Sequence, residues 1–256
     1  LDLDDLTSGF QNGELIIIAG RPAMGKTALA LSMMRNASVE ANLGVGMFSL
    51  EMSNQSLAMR LLCAEAKVNQ HFVRTGKLPQ KLWKNLGVAA GDLEKSPIYL
   101  DDTPALTVRE LRAKARRLKS EKDISMIIVD YLQLMQGPRR VENRQQEISV
   151  ISRSLKALAK EINVPVVALS QLSRAVEQRQ DKTPQLSDLR ESGAIEQDAD
   201  VVIFLYRPHV YDSEEDEGMA KIIVSKQRNG PTGKLDATFI RQYARFENMS
   251  KDAAPF

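Results

Sequence analysis

The octapeptide Gly20-Arg21-Pro22-Ala23-Met24-Gly25-Lys26-Thr27 decides how the rest of this chain is read. It fills every fixed position of the pattern G-x-x-x-x-G-K-[ST], in which a glycine-rich turn joins a strand to a helix. The flanks supply that context. Leu15 to Ala19 is a short apolar run before the turn, and an amphipathic stretch from Lys26 to Asn42 follows it. Gly25 lets the backbone close on a phosphate, while successive N–H groups at the start of the helix point inward. Lys26 is then placed to reach β- and γ-phosphates, and Thr27 to offer its hydroxyl to Mg²⁺.

Working outward, apolar runs of strand length recur at Val45 to Leu50, Ile98 to Leu100, Met126 to Val129, Val164 to Leu169 and Val201 to Tyr206. The runs at Leu15, Met126, Val164 and Val201 barely alternate with polar residues, as strands buried on both faces should. Helical stretches lie between them at Ser53 to Ala66, Thr107 to Ser120 and Glu142 to Ile162. Ser53 is a good N-cap, and Thr107-Val108-Arg109-Glu110 has the form of a capping box. Strands alternating with helices predict an α/β fold, a mostly parallel central sheet with helices on both faces. After Ala220 the pattern becomes strand, turn, strand: Lys221 to Ser225, then Lys234 to Arg241, joined through Asn229-Gly230-Pro231-Thr232-Gly233. This predicts an antiparallel extension at one edge near the C-terminus. Trp83 and Phe72 are expected to anchor the helical segment between Lys67 and Lys95 on the sheet, and Cys63 to lie in a core.

A length of 256 residues suits one large α/β domain. Lys and Arg number 35 against 33 Asp and Glu, a net charge of +2, which excludes a histone-like polycation. Any contact with nucleic acid must then come from local clusters. The densest cluster, Arg109 to Lys119, reads as a solvated helix face, and the acidic run Asp212 to Glu217 as an exposed loop. No apolar run approaches the roughly 20 residues of a membrane span, and the acidic opening Leu1-Asp2-Leu3-Asp4-Asp5 is unlike a signal peptide. One cysteine and two distant histidines offer neither an internal disulfide nor a Cys/His metal site, so a reducing cytoplasm is the expected setting.

A phosphate site of this kind needs an acid near its metal, and Ile127-Ile128-Val129-Asp130 puts one at the end of a buried strand. Ligands of parallel α/β sheets bind at the carboxyl ends of the strands. The same rule picks out Glu51, after the Val45 run, and Gln171, after the Val164 run. Glu51 could act as general base on an attacking water and Gln171 could hydrogen-bond the γ-phosphate. Spacing alone leaves open that both simply cap neighbouring helices.

These residues carry a close resemblance. Gly20 to Thr27, Phe48-Ser49-Leu50-Glu51-Met52 and Ile128-Val129-Asp130-Tyr131-Leu132-Gln133-Leu134-Met135 are similar to the motor domain of the bacterial replicative helicases, the DnaB family. Matches continue in order at Ile151 to Lys160, Leu169-Ser170-Gln171-Leu172, Asp188-Leu189-Arg190-Glu191-Ser192-Gly193 and Lys226-Gln227-Arg228-Asn229-Gly230-Pro231. The resemblance covers the C-terminal motor domain. The family's helical N-terminal domain and linker helix are expected to lie outside the stretch matched, and residues 1–256 to form one RecA-like ATPase domain.

What the resemblance implies is a RecA-like P-loop NTPase, six copies in a ring with ATP and Mg²⁺ between neighbours. The ring would move 5′ to 3′ on single-stranded DNA and unwind duplex, with a primase and a helicase loader as partners. Glu51 would be the catalytic glutamate, and Lys26, Thr27 and Asp130 the phosphate and magnesium ligands. Gln171 would be the γ-phosphate sensor. ATP would lie along residues 20–28, ending at Ala28, with Arg60 against the adenine. Lys226 and Arg228 would reach into the next subunit's site. On pattern alone these two are edge-strand charges, although residues two apart on a strand share a face. The alternative within the same fold is a RecA-like ATPase that binds strands without unwinding them.

Two loops should face the ring's channel: Gln136 to Gln146, with Arg139, Arg140 and Arg144, and Leu172 to Ala194, with Arg190, Glu191 and Gly193. Neither contains an aromatic residue, which leaves phosphate contact rather than base stacking as the grip. The resemblance places Arg190, Glu191 and Gly193 along the DNA backbone, with Glu191 contributing its N–H. A structural alternative for Arg190 is an ion pair with Asp188 or Glu191.

Overall fold

The computed structural model describes residues 2–137 and 143–249. Nine strands among them form one sheet: β1 (Leu15–Gly20), β2 (Val45–Ser49), β3 (Ile98–Asp101), β4 (Met126–Asp130), β5 (Val166–Gln171), β6 (Val201–Tyr206), β7 (Met219–Gln227), β8 (Gly233–Ile240) and β9 (Arg245–Asn248). The order across the sheet is β3-β2-β4-β5-β1-β6-β7-β8-β9. Pairings from β3 through β6 are parallel and those from β6 to β9 antiparallel. Helices are α1 (Asp2–Thr7), α2 (Lys26–Arg35), α3 (Asn54–Ala66), α4 (Gln70–Arg74), α5 (Gln80–Lys95), α6 (Val108–Lys122), α7 (Arg144–Ile162) and α8 (Gly193–Asp198). None is long and apolar enough to cross a membrane, among the described residues.

The non-alternating runs have the cause anticipated for them. Leu15, Ile17 and Ala19 point into one core beneath α6 and α7, with Leu111, Leu155 and Leu158. Ile16 and Ile18 point into a second core on the opposite face, with Leu29, Met34, Leu57 and Leu61 of α2 and α3. Successive side chains of a strand project to opposite faces, so a strand covered on both must be apolar throughout. Ser53 caps α3 by accepting from the Ser56 N–H, and Thr107 with Glu110 forms the capping box of α6.

The structure differs from the sequence reading in four places. The stretch from Lys26 does not stay α-helical to Asn42, since α2 ends at Arg35 and a π-helical turn, Asn36–Glu40, follows. The antiparallel extension has a third strand, β9, short enough to read as the tail of a turn. Its first strand is not an edge: β7 is flanked by β6 and by β8. Trp83 and Phe72 do not anchor the 67–95 segment, being 57% and 41% exposed. Leu86 and Ala89 of α5 instead join Cys63, Val68 and Leu78 in a satellite core against α3. The basic face of α6 is solvated, as expected, and carries surface ion pairs: Arg112 and Arg116 share Glu161, and Lys114 meets Asp101 at 2.5 Å.

Candidate nucleotide site

Strand register builds the site. In the β1–β5 ladder Gly20 lies beside Gln171, and in the β2–β4 ladder Ser49 lies beside Asp130. The carboxyl ends of β1, β2, β4 and β5 therefore end side by side, where ligands of such sheets bind.

The loop from β1 to α2 is held in an unusual backbone shape. Gly25 has φ of +95° and Ala23 of +66°. Gly25 precedes the helix and supplies no side-chain cap to its first turn. A Cβ at Gly25 would lie 3.2 Å from the ring of Phe246, which packs on Phe239 with centroids 4.8 Å apart. Thus the antiparallel extension forms a floor under the loop. Arg207 braces it from the same side: its N–H meets the Met24 sulfur at 3.3 Å, and its guanidinium donates to the Ala23 carbonyl at 3.3 Å. That guanidinium lies over the Phe239 ring, 4.1 Å from its centroid, and burial lowers its pKa. Nothing in the sequence marked Arg207, because 183 positions separate it from Met24 in the loop it supports.

Lys26 donates to the carbonyls of Gly20 at 2.8 Å and Arg21 at 3.2 Å. Burial lowers its pKa to about 8, against the opposing pull of Asp130 and Glu51. Thr27 donates its hydroxyl to Asp130 at 2.7 Å. Asp130 is 1% exposed, and burial raises its pKa despite the Thr27 hydrogen bond. The Leu50 N–H bonds the Asp130 carbonyl at 2.7 Å, and the Ser49 hydroxyl donates to the Met52 carbonyl at 2.8 Å. These bonds hold the turn bearing Glu51, whose exposed carboxylate acts electrostatically on both Lys26 and Asp130. Arg60, half-buried on α3, is close enough to Asp130 to lower its pKa.

One hydroxyl and one carboxylate converging beside a lysine fit Mg²⁺, which takes hard oxygen ligands and uses few protein groups when phosphates complete its shell. No cluster of three or more His, Cys, Asp or Glu at metal-binding distance occurs among the described residues.

Other expected site residues fall in distinct places. Of the loop residues, Pro22 and Ala23 are exposed and Met24 is buried, as is Ala28 in the first turn of α2. Arg21 is 7% exposed and turns its side chain away from the loop, donating to Glu177 and to the Leu172 carbonyl, both at 2.8 Å. Gln171 is half-buried at the end of β5, and its N–H and C=O are both bound by the side chain of Gln133. Gln133 stands in a matched motif but nothing in its type or spacing had marked it.

Lys226 and Arg228 share a face as expected, and both meet the C-terminal end of α8. Lys226 donates to the Glu196 carbonyl and to that of Ala199 at 2.8 Å, and Arg228 to that of Gln197 at 2.6 Å. Burial, then the nearby Arg228 charge, lowers the Lys226 pKa. Arg144 opens α7 and pairs with Glu147 and the Gln133 carbonyl. Arg190 and Glu191 lie in the 3-10 segment Leu186–Ser192, and Gly193 begins α8. Arg139 and Arg140 fall outside the described residues. Asp188 pairs with Arg179, in two contacts of 3.1 and 2.9 Å, and the side chains of Arg190 and Glu191, between which an ion pair is the alternative, fall outside the described residues.

Residues 1–248 match the family described as DnaB-like helicase C terminal domain. The chain belongs to that family. It is 56% identical over 252 residues to the replicative DNA helicase DnaB of Geobacillus stearothermophilus, covering 98% of this chain and 56% of the relative. It is 53% identical to the replicative DNA helicase DnaC of Bacillus subtilis strain 168, with the same coverage. The chain thus spans a little over half the length of these relatives. Among solved structures it is similar to a DnaB-like replicative helicase described with its interactions with primase. That match has a TM-score of 0.93 and 39% identity over 97% of this chain and 60% of that one. A second solved structure, described as an ATPase domain, gives the same score and identity, over 97% of this chain and 89% of that one. The RecA-like assignment of this DnaB-family fold, parallel sheet and antiparallel extension together, follows from these matches and the topology.

Proposed function

We propose that this chain is the ATP-hydrolysing motor domain of a replicative DNA helicase, working as one of six subunits in a ring on single-stranded DNA. The observation that carries this is the convergence of Lys26, Thr27, Asp130 and Glu51 at adjoining strand ends, with Thr27 and Asp130 2.7 Å apart. Membership of the DnaB-like family supports the choice of helicase over a strand-binding ATPase that does not unwind.

In this reading the loop from Gly20 to Ala28 wraps the triphosphate, and Lys26 neutralises its outer phosphates. Thr27 and Asp130 hold Mg²⁺, which when bound draws charge from the phosphate oxygens. Glu51, exposed just past the end of β2, accepts a proton from the attacking water. Gln171 contacts the γ-phosphate, Arg60 the adenine, and Lys226 with Arg228 the nucleotide of the neighbouring subunit. An arginine supplied in trans contributes roughly 10³–10⁵ in rate. Arg139, Arg140 and Arg144, with Arg190, Glu191 and Gly193, line the path of the strand and touch phosphates without reading sequence. A primase and a loader are partners of the whole protein in this reading.

The test is ATP hydrolysis measured with and without single-stranded DNA, alongside native mass. Strands should stimulate the wild type in a salt-sensitive way. Glu51→Gln should lower kcat by about 10²–10⁴ while nucleotide still binds. A wild-type rate in Glu51→Gln removes the catalytic assignment, and equal affinity for duplex and single strands at matched salt removes the strand-tracking one.

A further inference from the structure

The β5 ladder is lopsided at its functional end. On one side β1 accompanies it to the last residue, Gly20 beside Gln171. On the other, pairing with β4 stops at Val129 beside Ala168, and β4 itself ends at Asp130. Gln171 would have no main-chain neighbour there. The side chain of Gln133 takes that place. Its Oε1 accepts the Gln171 N–H at 3.2 Å, and its Nε2 donates to the Gln171 carbonyl at 3.1 Å and to the Ser170 hydroxyl at 3.0 Å. A primary amide offers a donor and an acceptor side by side, as a peptide does, so it can stand in for a missing strand.

Gln133 is itself fixed from three sides. It sits in the 3-10 turn Leu132–Leu134, whose Leu132 is buried at 1% exposure, and the Leu134 N–H bonds the Tyr131 carbonyl at 3.0 Å. Its own carbonyl accepts from Arg144 at the start of α7. The fixation matters because of the space beside it. A cavity of about 390 Å³ is lined by Gln133, Gln171, Tyr131, Arg21, Asp188 and Leu189, among others. Gln171 thus borders open space, and the hold of Gln133 on its backbone constrains the direction in which its side chain leaves the strand.

We propose that Gln133 is the positioning residue for the γ-phosphate contact: through its amide it holds the Gln171 backbone in the one orientation from which that side chain reaches the phosphate. This rests on the reading of Gln171 given above. On this proposal Gln133 acts through Gln171 and not on the nucleotide itself. Its removal lowers the rate of the chemical step and leaves ground-state binding of ATP largely as it was.

The experiment is a double-mutant cycle in the assembled protein, Gln133→Ala with Gln171→Ala, following kcat and KM for ATP in the presence of single strands. Gln133→Met, which keeps the volume and removes all three hydrogen bonds, is run in parallel as a variant that preserves packing. Both Gln133 variants should lose roughly tenfold to a hundredfold in kcat, the scale of a misplaced catalytic contact, with KM within about twofold. In the Gln171→Ala background neither should cost anything further. A slow Gln171→Ala enzyme beside wild-type kcat in both Gln133 variants overturns the proposal and leaves the Gln171 reading standing. So does a loss that simply adds to that of Gln171→Ala. A wild-type kcat in Gln171→Ala itself overturns the reading of Gln171, and this proposal with it.

Discussion

Replacing Gly25 with alanine tests how the antiparallel extension and the phosphate loop depend on each other. Two costs arise in the folded state. A left-handed backbone charges a residue with a Cβ roughly 1–2 kcal/mol, and Gly25 stands at φ +95°. The new methyl would also meet Phe246 Cε2 and Cζ at 3.2 Å, closer than ordinary contact. That ring is 7% exposed and packed on Phe239, so it can yield little, and overpacking of this kind adds about 1 kcal/mol. Against this, alanine loses less entropy on folding than glycine, which returns roughly 0.4–1 kcal/mol. The net is a destabilisation of about 2 kcal/mol. For a chain of this size that lowers Tm by roughly 4–8 °C. The assay is thermal and urea unfolding of wild type and Gly25→Ala, each repeated with Phe246→Leu, which removes the atoms that clash. The cost of Gly25→Ala should shrink by about 1 kcal/mol in the Phe246→Leu background, as expected for side chains in contact. An unchanged Tm for Gly25→Ala refutes the strain reasoning, and an equal cost in both backgrounds refutes the role of the ring.

Other expectations concern the interface and the acid limb of stability. On the proposed reading, Arg228→Ala subunits mixed with Lys26→Ala subunits should regain part of the activity each lacks, since a mixed interface would pair an intact loop with an intact Arg228; no rescue in rings proven to be mixed removes action across the interface. The Arg35 hydrogen bond holds the Glu65 carboxyl below its ordinary 4.5. A depressed folded-state pKa means that the stabilisation is present above the unfolded value and fades as pH falls through the folded one. The stability difference between wild type and Glu65→Gln should therefore be constant near neutrality and shrink below about pH 4.5. Urea midpoints across pH 3–7 would check this, and a difference that grew toward acid would contradict it.

Much of the site could be read from local sequence because its signals are local. The eight residues from Gly20 to Thr27 encode a strand, a turn and a helix start within one short span, and Asp130 closes an apolar run that announces its own burial. Glu51 and Gln171 follow from the rule that ligands gather at strand ends. Trp83 and Phe72 misled because a large aromatic residue is a good core candidate by type, yet α5 chose Leu86 and Ala89 as its inward face. That choice depends on which side α3 lies, and no window of sequence contains it.

Sequence by itself determined the phosphate-loop motif with its strand, turn and helix, the alternation of strands with helices and the burial of the central strands on both faces. Each is written in residue types a few positions apart, where backbone geometry is fixed by near neighbours. Only the tertiary structure decided what supports those residues. Phe246 and Arg207 reach the loop from distant parts of the chain, Gln133 completes a strand that β4 abandons, and Lys226 with Arg228 turn onto the end of α8. Such contacts come from strand order and register, and these are settled by packing the whole sheet at once.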